Sequence, residues 1–433
     1  MRKRIRSAGR WTWIGGLVIS LVVAGCASPG SDAITVRVDY SHDEFNTQFI
    51  QYFPDQIQVH PGDTVRFVQD WTGEAHTVTF GTELNEALET TRPLIEQYGH
   101  LPEDQVPPEI FEQFLAAECT LPVLFSECEA PPSESEATGE SDPVGADSEE
   151  EFPPIDQRIA QPCVIEEGAI PTDGSPCPNQ ELGAFDGTES FYNSGFIGFE
   201  TDRENVFNLE VSDSIAPGVY PFFCAVHGSF QNGVMEVVPA DQPIASPSEV
   251  NEQTREDLNE VVEPFRQVFA QAQGGEIVMG GESFSGNFSG LVDEQVQGLL
   301  NEFVPETITT EVNEPVTWLM FGPHSISFDV PEYFPIYDVQ EDGSVTANDE
   351  IFLPAGGAPD ITVPSRPGLE EPEDPSEPLV IDGGSWDGSG FWSSGVLFSD
   401  AYVQYTLRFS TPGTYRYACL IHPPMVGTIE VSG

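Results

Sequence analysis

Lysine is all but missing from this chain, since Lys3 is the only one in 433 residues. Lysine and arginine together number 15 against 72 aspartates and glutamates, for a formal net charge of −57. Five of the 15, Arg2, Lys3, Arg4, Arg6 and Arg10, crowd into the first ten positions. A protein that grips a phosphate backbone needs clustered cations, so nucleic acid is excluded as a partner. An acid excess this large reads as a halophilic-type surface, where salt screens the self-repulsion and carboxylates keep the surface hydrated. An acidic face for one basic partner would need only a patch. Long apolar runs are missing too: the one from Trp11 to Val23 falls short of the ~20 residues that span a bilayer. There is no CxxC pair, no HxH and no HExxH, which excludes the common zinc patterns.

The basic start, the apolar run and the small residues of "VAGC" form an export signal over 1–25. Those four residues resemble the bacterial lipobox, whose cysteine becomes the lipid-modified N-terminus. Cys26 is therefore the expected lipid anchor, residues 26–33 a tether, and the expected location the extracytoplasmic side of a membrane in the cell envelope.

Glycine (40), proline (38) and phenylalanine (29) are plentiful, as in a protein of many strands and turns. Internal similarity organises them. "QYFPDQIQVHPGDTVRFVQDWTGEAHTVTF" (51–80) matches "NEFVPETITTEVNEPVTWLMFGPHSISF" (301–328). "APGVYPFFCAVHGSFQNGVMEV" (216–237) likewise matches "TPGTYRYACLIHPPMVGTIEV" (411–431). The alternation within each is that of half-buried strands. The expected fold is all-β: two tandem Greek-key β-sandwich domains, at 34–240 with an insert near 81–183, and at 275–433 with an insert near 330–384. Residues 241–274 between them read as a linker helix. Ser246 would be its N-cap, Glu249 would close a capping box, and Leu258, Val261, Val262, Phe265, Val268 and Phe269 would form an apolar stripe, with a kink at Pro264.

Four cysteines, Cys119, Cys128, Cys163 and Cys177, all lie in the first insert. In an oxidising compartment they read as two disulfides. Three pairings exist, and closeness favours Cys119 with Cys128 and Cys163 with Cys177. Cys224 and Cys419 remain, one per repeat. Each has a histidine three residues on and another upstream: His76, Cys224 and His227 in the first copy, His324, Cys419 and His422 in the second, followed there by Met425. A thiolate and two imidazoles with a weak axial thioether or amide are the ligands of blue copper sites. His42, His60 and His100 have no such pattern and read as surface residues.

Both repeats resemble cupredoxins of the plastocyanin and azurin type, through the "P-x-x-I-x-V-x-x-G-D-x-V" strand pair, the histidine opening the next strand and the C-x-x-H-x-x-M loop. The resemblance implies two type 1 copper ions, one per domain, with ligands His324, Cys419, His422 and Met425 in the second copy and His76, Cys224 and His227 in the first. The first copy departs at the axial position, where Gln231 stands opposite Met425 and Met235 falls on a core position opposite Ile429. The enzymes built from such domains relay electrons through histidines flanking the cysteine, whereas here the neighbours are Phe223, Ala225, Ala418 and Leu420. The expectation is a non-enzymatic, membrane-anchored one-electron carrier exchanging electrons with partner proteins. The alternative is a lipoprotein that buffers or delivers copper.

Overall fold

Alternation along the chain builds the sheets. Ile34–Val38, Thr64–Gln69, Pro315–Met320 and Val403–Phe409 all place a buried residue at every second position, as strands with one face on a core do. The computed structural model describes residues 33–69, 74–99, 105–124, 155–170, 177–198, 205–279, 282–293, 298–330, 335–341, 343–359, 377–399 and 401–433. The signal, residues 26–32 of the tether (with Cys26), Cys128 and His100 lie outside them.

The strands form two face-to-face sandwiches. In the first, one sheet runs Tyr52–Phe53, Ile34–Val38, Thr64–Gln69, Val206–Glu210. The other runs Gln56–Val59, Gly228–Val237, Gly218–Cys224, Thr79–Phe80, Phe191–Asn193, Cys163–Ile165. In the second sandwich, one sheet runs Thr47–Phe49, Gly298–Val304, Asn287–Asp293, Pro315–Met320, Val403–Phe409, Leu379–Trp386. Its partner sheet runs Thr307–Glu311, Val426–Ser432, Gly413–Ala418, Ser327–Phe328, Trp392–Ser393. Aromatic rings fill the gaps between sheets: Phe222 meets Tyr52 and Phe67 at 4.9 and 5.5 Å, and Phe328 meets Phe409 at 5.5 Å.

The registers match residue by residue. Arg37 lies opposite Phe53 and Val68, and Phe288 lies opposite Val304 and Leu319. Met235 lies opposite Ile57 and Tyr220, and Ile429 opposite Ile308 and Tyr415. His76 bridges to Ile197 as His324 bridges to Leu397. The same count places Asp39, two past Arg37, on Gly290, two past Phe288.

The division at 240 expected from the sequence is not clean. Thr47–Phe49 sits early in the first copy yet pairs antiparallel with Gly298–Val304 of the second. The reason is a shared apolar core: Phe45, Phe49 and Phe53 pack with Phe288, Leu291 and Leu300 against Leu258, Val262 and Phe265. Gly298 admits the approach, because a Cβ there would lie 2.9 Å from the Gln48 carbonyl oxygen. The helix Pro247–Gln273 that supplies Phe265 begins in the expected Ser246–Glu249 capping box and runs through Pro264 as one element. Residues 33–433 thus form one compact unit.

The inserts are structured in part. Asn85–Tyr98 and Pro108–Glu118 are helices, as their apolar spacing suggests. Cys163 and Cys177 form a disulfide with Cα atoms 5.5 Å apart, and Cys119 is disulfide-bonded as well. The second insert ends sooner than expected, because Leu379–Trp386 is an edge strand parallel to Val403–Phe409. A register shift between Asp382 and Ser385 hides its alternation. The inserts also meet: the Gln157 amide donates to the Val345 carbonyl (2.9 Å) and accepts from the Val345 N–H (2.8 Å). Phe196, past the end of the first insert, packs on Tyr337 of the second at 4.8 Å. Among the described residues, no helix is long and apolar enough to cross a membrane.

Candidate metal centres

The fold brings the expected side chains together twice. His76 enters from the strand bridge at Ile197, while Cys224 closes the strand Gly218–Cys224 and His227 follows on the loop. Their candidate donor atoms all lie within 4.8 Å of one another, as do those of His324, Cys419 and His422. Cys224 Sγ is 3.9 Å from His76 Nδ1 and 3.5 Å from His227 Nδ1. Cys419 Sγ is 3.8 Å from His324 Nδ1 and 3.5 Å from His422 Nδ1. Transition-metal bonds of about 2.3 Å to sulfur and 2.0 Å to nitrogen, about 110–120° apart, would separate S and N by about 3.5–3.7 Å. Both sets are therefore of a size to share one ion.

Tautomer decides whether the imidazoles can ligate. All four turn Nε2 away from the sulfur, and every group Nε2 faces is an acceptor. His76 Nε2 faces Asp39 Oδ2 at 3.3 Å, and His227 Nε2 faces Glu74 Oε2 at 3.1 Å. His324 Nε2 donates to the Phe321 carbonyl at 2.9 Å, and His422 Nε2 to Gln48 Oε1 at 3.2 Å. The proton of a neutral ring thus belongs on Nε2, leaving the Nδ1 lone pair free for a metal. In the second set this puts two lone pairs 3.1 Å apart, His324 Nδ1 against His422 Nδ1. Neutral rings so placed repel unless a cation lies between them. The donor set fits a copper ion on chemistry as well as on size.

The sulfurs are held alike. Thr77 N–H donates to Cys224 Sγ at 3.3 Å, and Ser325 N–H to Cys419 Sγ at 3.4 Å. A hydroxyl beside each histidine ties down the residue after the cysteine: Ala225 N–H donates to Thr77 Oγ1 (2.7 Å) and Leu420 N–H to Ser325 Oγ (2.8 Å). Insert helix Pro108–Glu118 braces the first loop, with Glu118 accepting from Ser229 N–H at 2.9 Å.

At the axial position, Gln231 is fully buried and its Oε1 lies 2.8 Å from His76 Nδ1 and 3.1 Å from His227 Nδ1. Its Nε2 donates to the Gln51 carbonyl at 3.3 Å, which turns the oxygen inward. Met425 is equally buried on a loop closed by its own N–H to His422 O (2.8 Å) and its carbonyl to Cys419 N–H (3.0 Å). Met235 lies in the hydrophobic core on the strand Gly228–Val237. His42 stacks on Phe45 at 4.9 Å, and His60 Nε2 lies 2.8 Å from the Gln242 carbonyl.

Charge separates the two centres. Burial pushes the Cys224 thiol up, but the His227 and His76 imidazoles overrule it and hold it well below the usual thiol range. Burial opposes a charged His76, yet Asp39 and the Cys224 sulfur raise it to about 9. Glu74 is pushed up by burial and pulled to about 2 by the histidines around it. In the second centre burial prevails: Cys419 is raised, His324 lies well below its ordinary value and His422 falls to about 4.

Sequence reasoning missed Asp39 and Gln48, which sit outside the repeated motifs, and Glu74, which lies within the first motif two residues before His76. Asp39 carried a usable signal in its equivalence to Gly290. Both take the left-handed backbone, φ 65° and 71°. A Cβ on Gly290 would lie 1.9 Å from His324 Nε2.

No family model matches the chain and no curated protein matches it. Among solved structures it is similar to a purple cupredoxin from Nitrosopumilus maritimus, at 18% identity over 30% of this chain and 83% of that one, TM-score 0.15. Plastocyanin from Dryopteris crassirhizoma matches at 20% identity over 30% and 89%, TM-score 0.15. Auracyanin from Roseiflexus castenholzii matches at 13% identity over 48% and 98%, TM-score 0.21. Each is a likeness over part of the chain.

Proposed function

We propose that this chain is an exported, lipid-anchored carrier of single electrons that holds two type 1 copper ions and catalyses no reaction of its own. The observation that carries this reading is the pair of His–Cys–His sets, buried but for the partly exposed His227, each with both Nδ1 atoms turned to the sulfur and both Nε2 atoms facing acceptors. Bound copper would supply the one-electron couple. The chain would hold its ligands in one arrangement for both oxidation states.

The first centre has the lower potential and passes electrons to the second. Asp39 and Glu74 set carboxylates behind its imidazoles, where the second centre has a backbone carbonyl and the Gln48 amide. Carboxylate partners raise imidazole basicity and favour the more charged copper(II). The Gln231 amide oxygen acts in the same direction relative to the Met425 thioether.

Copper delivery is disfavoured by burial. His76, His324, His422, Cys224 and Cys419 are at most 1% exposed and the His227 side chain is 13% exposed, whereas a donor of copper must let an acceptor reach several of its ligands. The test is copper stoichiometry with an absorption spectrum: two coppers per chain and an intense visible sulfur-to-copper band are expected, and a loaded protein without that band overturns the reading. Anchoring rests on "VAGC". Cys26→Ala should release soluble protein from membranes, and retention would refute the anchor.

A further inference from the structure

The histidines that follow the two cysteines turn their Nε2 atoms toward the same pair of residues. His227 Nε2 meets Glu74 Oε2 at 3.1 Å. That same oxygen accepts a hydrogen bond from Gln48 Nε2. Gln48 Oε1 in turn accepts from His422 Nε2 at 3.2 Å. Asn301 Nδ2 also donates to Gln48 Oε1, at 3.2 Å, which fixes the amide so that its oxygen faces His422 and its nitrogen faces Glu74. Every donor in the chain of contacts meets an acceptor.

Resting on the reading of two copper centres, we propose that Glu74 and Gln48 are the electronic bridge between them, carrying electrons within the molecule from His227 to His422. Three hydrogen bonds span the two imidazoles. The surroundings point the same way. His422 and Gln48 are 0% and 1% exposed, and the His227 and Glu74 side chains are 13% and 24% exposed, so the path is buried at the second centre and half-buried at the first. Gln48 reaches this place only because Thr47–Phe49 crosses into the second sandwich. The packing of Phe196 on Tyr337 and the Gln157–Val345 amide pair join the sandwiches a second time. The balance is one electron lost at one centre and gained at the other, copper(I) to copper(II) and the reverse, with no bond formed or broken and no proton leaving the bridge.

The experiment starts from the copper count and spectrum of the full chain. Fewer than two type 1 coppers would remove the underlying reading before the bridge is tested. In the two-copper protein, pulse reduction should be followed by re-equilibration between the centres at a rate independent of protein concentration. Gln48→Leu should slow it on the order of tenfold with both coppers retained, and Glu74→Gln, which keeps the side-chain length, should slow it less. An unchanged rate in both variants, with two coppers bound, overturns the bridge. A second readout needs no metal. In ring-labelled, copper-free protein, Gln48→Leu should shift the Nε2 resonances of both His422 and His227, the second through Glu74. A shift confined to His422 would mean a local contact and no relay.

Discussion

The two centres share a scaffold and differ in what stands behind their ligands. Each sets its sulfur 3.5–3.9 Å from two Nδ1 atoms and gives it the backbone N–H of the residue after the upstream histidine. Behind the rings, the first has two carboxylates and the second only neutral oxygens. A repeated fold therefore fixes where donors stand without fixing how basic they are. A residue outside the repeated motif, such as Asp39 where the other copy has Gly290, sets the difference.

The harshest way to break the comparison is to put a side chain where the second copy has none. Gly290→Ala would drive a Cβ to 1.9 Å from His324 Nε2 at a left-handed backbone, so it should empty the second centre while the first keeps its copper and band. Metal analysis of that variant decides the point, and retention of two coppers would sink the steric account. Asp39→Gly makes the opposite change. The first centre should survive with a raised potential, its preference for copper(II) over copper(I) weakened roughly 10- to 100-fold, about 1.4–2.7 kcal/mol. Potentiometry on a His324→Ala background reads it alone, and an unmoved potential would show that the carboxylate does nothing. Gln231→Met should raise the same potential by a smaller step and so narrow the gap between the centres.

Acidity offers a gentler test. In the metal-free chain at neutral pH, His76 and His227 hold protons that copper must displace, since both lie above their ordinary values, His76 at about 9. The second centre meets copper with neutral rings and one thiol proton to lose. As pH falls, copper affinity should drop about a hundredfold per unit at the first centre and about tenfold at the second. Calorimetry in buffers of different ionisation heat counts the protons released, and equal counts would contradict the charge assignment. The sign extends to stability. A His76 raised above its unfolded value stabilises the metal-free fold below about pH 6.5, an effect lost as pH rises through about 9.

Much of this was legible in the sequence. The strands announced themselves because one-face burial imposes alternation, and the ligand loops because their residue types stand close together. The carboxylates did not, because Asp39 and Glu74 approach the rings through folding over long separations, and no local spacing records that. Gln48 was illegible for a stronger reason: its neighbours Phe45 and Phe49 answer to a core built largely by residues 258–304. The strand Leu379–Trp386 was lost where Gly383 and Gly384 interrupt the pattern of side chains.

That crossing strand also orders events in time. Thr47–Phe49 is made long before its partner Gly298–Val304, and domains form as units beginning from the N-terminus. The first sandwich can close its two sheets while the segment at 47–49 waits, an unpaired edge with phenylalanines at hand. That edge has a place to dock only once Gly298–Val304 is made, so truncation after the first copy would leave a sticky remnant. Gln48 takes its position at that last step, which makes contact between the two halves a mark of complete assembly.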